Sequence, residues 1–300
     1  MYIIAKMRLF FQVTHCRNSA YNSMRKHKGS YMDLNQNVNE NVDTGTLRIH
    51  LTNESNGTPV QGAKISISYT GNPSQTIEEV SADDSGNSEE LTLNAPPLEY
   101  SMEPSEEQPY AEYTIRVQAP GYRDITVSAI NVLPGETAIQ NVRMEAEDAP
   151  GDRIDMVVIA AHTLYAEYPP KIPEDEIKPM NESGEIVLSR VVIPEYIVVH
   201  DGAPGDTTAS DYYIRYRDYI KNVASSEIYA TWPDAAIRAN VLAIMSFTLN
   251  RVYTEWYRGK GYNFTITSST AYDHKFIYGR NYFQSISRVV DEMFEHYLSR

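Results

Sequence analysis

Residues 219–233 read Tyr-Ile-Lys-Asn-Val-Ala-Ser-Ser-Glu-Ile-Tyr-Ala-Thr-Trp-Pro, and residues 234–258 continue DAAIRANVLAIMSFTLNRVYTEWYR. Together they predict a pair of helices at the centre of the C-terminal half. Asp218 is a candidate cap for the first helix. Trp232-Pro233-Asp234 breaks the chain and restarts it, with Pro and Asp in the first turn of the second helix. Ala236, Ala239, Asn240, Ala243, Phe247, Asn250 and Tyr253 recur at helical spacing and predict the face packed beneath the first helix. Gly259 and Gly261 end the pair. Glu227 is the lone carboxylate in a run that is otherwise apolar or small. Val223 and Glu227 are four apart and share one helix face. A carboxylate there has two readings. It sits at the rim with its head in water, or it is desolvated with a raised pKa, the state a general acid needs.

On the C-terminal side, YNFTITSST (262–270) predicts a strand and AYDHKFIYGR (271–280) a loop. His274 beside Asp273 could tune a proton or bind hydroxyl groups, and it reads equally as an exposed loop histidine. Residues 281–300 predict an amphipathic helix with Ile286, Val289, Val290, Met293 and Leu298 facing the core. On the N-terminal side, 186–217 is rich in Val, Ile and Tyr and reads as strands interrupted at Pro194. Residues 147–185, with AEDAPGDR and AEYPPKIPEDEIKP, read as a Pro- and acid-rich linker. The apolar IDMVVIAAHTLY within it reads as a strand with some helix ambiguity. His162 there reads as a packed histidine, since no second ligand sits at metal spacing.

Residues 44–146 predict an all-β sandwich. Leu47, Ile49 and Leu51 alternate in the first strand, and Ile65 and Ile67 in the second. ADDSGNS reads as a turn rather than a calcium loop, because it lacks spaced oxygen ligands and a closing Glu. Residues 1–43 read as a disordered or spurious leader, with Met32 as a candidate natural start.

The net charge is −14 over 300 residues. Residues 1–32 carry +6, 33–185 carry −20, and 186–300 balance to zero. The acidic middle section argues against a nucleic-acid partner, which requires phosphate-neutralising cations. A single cysteine, Cys16, excludes an internal disulfide. No stretch is long and apolar enough for a transmembrane segment. The aromatic complement is dominated by 23 Tyr, an amphipathic side chain suited to carbohydrate faces and to sheet edges alike.

Two resemblances attach to these runs. The series GTPVQGAKISI, DDSG and YTIRVQAPGY resembles the carboxypeptidase regulatory-like, or transthyretin-like, sandwich. That implies a spacer or adhesion unit, with a protein partner through the sandwich left open. YIKNVASSEI with Trp232-Pro233, followed by AAIRANVLAIMSFTLNR, resembles the stage II sporulation protein D / amidase-enhancer family over about residues 190–300. The fold expected is α+β and multidomain: an N-terminal all-β sandwich (44–146), a linker (147–185), and a mixed α/β domain with a central helix pair (186–300). The family resemblance implies a lytic transglycosylase that acts on peptide-stripped glycan strands of peptidoglycan and leaves 1,6-anhydro ends. It implies Glu227 as the catalytic acid, and Tyr229, Asn240, Tyr272, Asp273 and His274 as substrate-binding residues. Trp232 is a further candidate for stacking on a sugar, or for core packing. The substrate implies an extracytoplasmic or cell-wall location. No cofactor is implied, and the Cys and His that hold zinc in some members have no counterpart here. Met245 and Phe247 stand where the family has Arg and Tyr. Its later Gly-rich segment has no match, which predicts an incomplete domain with apolar surface open on the last helix. Two other classes stay open: a non-catalytic peptidoglycan-binding or structural wall protein, and a component of a secreted or phage-like particle that uses the sandwich as a spacer.

Overall fold

The structure, a computed structural model, describes residues 42–104, 106–150, 154–161, 164, 168–173 and 191–298. The leader with Cys16 and Met32, His162 and most of the linker lie outside the described residues. The described chain is a mixed α+β protein, β-rich first and helical later.

The sandwich is built from two sheets. In one, β1 (Asp43–Asn53) pairs antiparallel with β4 (Leu91–Ala95) and parallel with β7 (Thr137–Met144). The other has the order β3 (Thr76–Ser81), β2 (Lys64–Tyr69), β5 (Ala111–Gln118), β6 (Ile125–Val132), β8 (Met156–Val158). Leu47, Ile49 and Leu51 of β1 are fully buried, as are Ile65 and Ile67 of β2. A period of two in aliphatic residues sends one face of each sheet into a shared core. The 83–88 turn closes on Asp83, whose carboxylate accepts the N–H groups of Ser85 and Asn87 at 2.9 and 2.8 Å. The left-handed Gly86 in it is obligatory, because a Cβ there would lie 2.4 Å from the Leu51 carbonyl oxygen. Within the expected linker, the strand character of IDMVVIAAHTLY is realised as β8: Met156, Val157 and Val158 pair in parallel with Thr126, Val127 and Ser128 of β6.

A short helix, α1 (Glu99–Met102), follows β4. In the C-terminal half, β9 (Tyr196–His200) lies between β10 (Asp211–Arg215) and β11 (Ile266–Thr267) in a three-stranded sheet. β11 is two residues long, shorter than the strand expected over 262–270. The predicted helices are α2 (Tyr216–Glu227), α3 (Asp234–Tyr253) and α4 (Gln284–Met293). Asp218 is not the cap of α2. The helix starts two residues earlier, at Tyr216, and Asp218 stands in its first turn. α2 is buried nearly all round, from Tyr216 and Tyr219 to Ser226, which marks it as the central element.

The buried row of α3 also differs from the expected one. It is Ile237, Val241, Ile244, Met245, Thr248 and Leu249, while Ala239 and Asn250 are exposed. The alanine–aromatic row and the aliphatic row both repeat at helical spacing. The aliphatic row removes more apolar area from water and faces inward. On α4, Ile286, Val289 and Val290 are buried, so the last helix does not leave its apolar stripe open, and Leu298 lies beyond it, exposed.

The C-terminal half is stitched into the sandwich. β12 (Tyr282–Phe283) pairs antiparallel with Ile139 and Ala138 of β7 and extends that sheet. Asn281, fully buried, accepts the Asn131 N–H at 3.1 Å and donates to the Asn131 carbonyl at 2.9 Å. Its amide imitates a strand partner for β6. Asn281→Ala leaves two buried backbone groups unpaired, and equilibrium urea denaturation is expected to report a loss of about 2–4 kcal/mol.

Candidate functional site

Glu227 is the last residue of α2 and is partly buried. Its Oε1 accepts the backbone N–H of Lys275 at 2.9 Å. Burial raises its pKa above the ordinary carboxylate value, against the opposing pull of the Lys275 N–H and the Lys171 ammonium. A helix C-terminus, where unpaired carbonyls gather, is itself a poor place for a negative charge. The raised pKa fits the desolvated reading, and the partial exposure fits the rim reading.

The loop after β11 is held to α2 and α3 by buried polar pairs. Asn222, one turn before Ser226, donates to the Ile277 carbonyl at 2.8 Å and accepts the Ile277 N–H at 3.1 Å. Asp273 is buried and saturated. Arg251 Nε donates to Oδ1 at 2.8 Å, while the Tyr257 hydroxyl, the Thr267 N–H and the Thr267 hydroxyl donate to Oδ2 at 2.7, 2.9 and 2.7 Å. The Arg251 guanidinium also lies over the Trp256 and Phe247 rings, at 4.6 and 4.8 Å.

The five residues expected to line a sugar groove therefore separate. Asp273 is a structural bracket. His274 is buried rather than an exposed loop histidine. Its Nδ1 is 3.3 Å from the Tyr219 hydroxyl, and its ring is 4.7 Å from that of Phe247. Burial, with Lys171 and Arg251 nearby, pushes the His274 pKa down to about 3, so its ring is neutral at pH 7. Tyr229 is fully buried, meets the Trp232 ring edge-on at 6.1 Å, and accepts the Leu164 N–H at 3.2 Å. Trp232 itself donates to the Ser101 carbonyl at 2.9 Å. Asn240 donates within its own helix to Ala236 at 2.9 Å. Tyr272, partly exposed, is carried by the loop that leads to Lys275.

Sequence reasoning missed Asn222, Tyr219, Arg251 and Lys171. Asn222 and Tyr219 stand inside the 219–233 run, eight residues or fewer before Glu227. Arg251 is a cation within a helix of mainly apolar residues, which was the available signal. Lys171 offered none.

Two surface hollows lie elsewhere: one of about 390 Å³ lined by Tyr122, Arg123, Asp124 and Glu147, and one of about 90 Å³ whose lining includes Tyr196, Trp256 and Phe264. Neither is lined by Glu227. Among the described residues, no group of three or more His, Cys, Asp or Glu is placed to hold a metal ion, and no helix is long and apolar enough to cross a membrane.

No family model matches the chain, and no curated protein matches it. Among solved structures it is similar to the Bacillus anthracis TIE protein, with 23% identity over 35% of this chain and 17% of that one, at a TM-score of 0.24. It is also similar to GBS52, the minor pilin of Streptococcus agalactiae, with 13% identity over 37% of this chain and 48% of that one (TM-score 0.25). A third is Klebsiella pneumoniae 5-hydroxyisourate hydrolase, with 18% identity over 34% of this chain and 87% of that one (TM-score 0.22). The chain spans less than half the length of the first two. Scores this low carry no argument about function.

Asp273→Asn leaves Arg251 buried without its counter-charge, and chemical denaturation is expected to show a loss of about 3–5 kcal/mol, as for other broken buried ion pairs. A residue that only lined a groove would move stability by far less. His274 releases its proton on folding, so its contribution is full above its unfolded pKa of about 6.5 and is lost as the pH falls towards about 3. His274→Asn is expected to flatten the decline in stability between those two pH values.

Proposed function

We propose that this chain is a lytic transglycosylase-like protein that uses one carboxylate, Glu227, to cut peptide-stripped glycan strands of peptidoglycan. The observation that carries this reading is the desolvated state of Glu227. It is partly exposed, its pKa is raised by burial, and among the described residues one amide N–H, that of Lys275, donates to it. A glycosidase that hydrolyses its substrate needs two carboxylates, and Asp273 is fully engaged in the fold. Intramolecular transfer needs one. Glu227 gives its proton to the glycosidic oxygen as the C1–O bond breaks, which leaves a free hydroxyl on the departing sugar. The 6-hydroxyl of the muramic acid residue then attacks its own C1, and its proton returns to Glu227. The product is a 1,6-anhydro end, with no water consumed and no cofactor required. The sandwich, which resembles a carboxypeptidase regulatory-like module, would serve as a spacer and a surface for a protein partner. The substrate places the protein at an extracytoplasmic or wall location.

A second reading, a non-catalytic peptidoglycan-binding or structural wall protein, is favoured by one observation. Tyr229, Asp273 and His274 are occupied within the fold and present no sugar-facing surface.

Incubation of the protein with peptide-stripped glycan strands is expected to give 1,6-anhydro products by mass spectrometry. Glu227→Gln is expected to lower the yield by at least about a hundredfold, the usual scale for a lost general acid. Strand binding without product in the wild type would select the second reading. The variant is also expected to be as stable as the wild type or more so at pH 7. A carboxyl whose pKa is raised by folding stabilises the fold below its unfolded pKa and loses that contribution as the pH rises.

A further inference from the structure

Lys275 holds Glu227 through its backbone and leaves its side chain uncommitted. Its N–H donates to Glu227 Oε1 at 2.9 Å. The next N–H, that of Phe276, donates back to the His274 carbonyl at 3.1 Å, which closes a three-residue turn with Lys275 at its apex. His274 and Phe276 are buried on either side, and Lys275 is half-buried. The turn is pinned at both ends, by the hydrogen bonds to Asp273 and by the Asn222–Ile277 pair. The apex therefore keeps one position against Glu227, and a flexible four-carbon stem carries the ammonium from there.

Among the described residues, no carboxylate or carbonyl takes the Lys275 ammonium. Cations on the two neighbouring helices are committed: Lys221 to Asp291 at 2.9 Å, and Arg251 to Asp273 at 2.8 Å. Lys171 gives its ammonium to the Asp273 carbonyl at 2.5 Å. The Lys171 charge opposes the raised pKa of Glu227, whereas Lys275 acts on Glu227 through its amide. The Lys275 ammonium is thus neither a bracket of the fold nor the group that tunes the carboxyl.

In a glycan strand that carries peptides, the lactyl carboxyl of muramic acid is tied up as an amide and has no charge. Removal of the peptide exposes a carboxylate. It hangs from C3 of the same ring whose C1 is attacked, beside the bond that Glu227 protonates. The protein as a whole carries a net charge of −14 and repels such an anion, so a cation at the site itself must offset that repulsion.

We propose that Lys275 is a specificity-determining residue: its ammonium pairs with the free lactyl carboxylate of the muramic acid residue at the cut and so favours peptide-stripped strands over strands that carry peptides. The half-buried setting makes the pair stronger than one in open water. The pairing rests on the glycan-strand reading above, and on binding rather than turnover.

The test uses the full chain in a Glu227→Gln background, which keeps strands whole and keeps an oxygen for the Lys275 N–H. Two probes are compared by titration calorimetry at low salt: peptide-stripped strands, and the same strands with their lactyl carboxyls capped as glycinamide amides. The capped strands are expected to bind about tenfold more weakly, the scale of one hydrogen bond to a charged group. Lys275→Met is expected to bind the free-carboxyl strands about tenfold more weakly and the capped strands as before, a selective loss that misfolding would not produce. Lys275→Arg is expected to retain the preference. A preference that survives in Lys275→Met, or one that is missing while Lys275 is present, would overturn the assignment. If native Glu227 then still yields anhydro products, the transglycosylase reading stands without Lys275. A Lys275-dependent preference without such products supports the assignment and counts against turnover alone. Binding of neither probe overturns both.

Discussion

The Asp273 carboxylate receives four hydrogen bonds, from Arg251, Tyr257 and Thr267, at 2.7–2.9 Å. These partners come from α3, from the segment after it, and from β11, so a single charged group ties three elements to the loop that follows. A buried carboxylate is tolerated only when it is this fully paired, and removing any partner leaves a desolvated charge behind. With the start of the loop fixed by Asp273 and its end fixed by the Asn222–Ile277 pair, Lys275 between them has little freedom. Its N–H therefore stays aimed at Glu227.

The same loop continues into the seam with the sandwich. Gly279 gives its carbonyl to Gln140 at 3.0 Å, Asn281 completes the β6 edge, and Tyr282–Phe283 extend the β7 sheet. The sandwich edge and the anchor of Glu227 are thus two ends of one nine-residue stretch. Gly279 has a left-handed backbone, and a Cβ there would lie 2.5 Å from Val157 of β8. The short parallel strand at the sheet edge and the loop near the carboxylate consequently fit only with glycine at that position.

Legibility in the sequence followed the length and chemistry of each signal. β1 and β2 announce themselves because aliphatic residues alternate over several positions. Glu227 stands out because a carboxylate among Val, Ala and Ile is costly without a reason. β8 lies in an apolar run whose strand character is legible, but three residues without alternation do not indicate its partner, β6. Asp273 and His274 sit in a polar stretch that looks like a solvent-facing loop. Only the fold brings Arg251, Tyr257, Tyr219 and Phe247 around them. The face of α3 was misread because two rows share the same period, and periodicity alone does not say which buries more area. Lys171 is invisible for a related reason: a lysine in a proline-rich tract has no preferred partner until the tertiary structure supplies one.

Glu227 and Asp273 are anchored to the same loop and differ in what surrounds them. Asp273 faces four donors, one of them a guanidinium. Glu227 faces one amide, a more distant ammonium, and the carbonyl end of its own helix. A carboxylate that accepts two or three amide N–H groups is held firmly in its charged form; one amide does not offset the cost of desolvation. The shortage of donors at Glu227 therefore decides its chemistry. Among the described residues, the loop's polar groups go mainly to Asp273 and the Asn222–Ile277 pair, and Glu227, with one amide donor, is left with its pKa raised by burial.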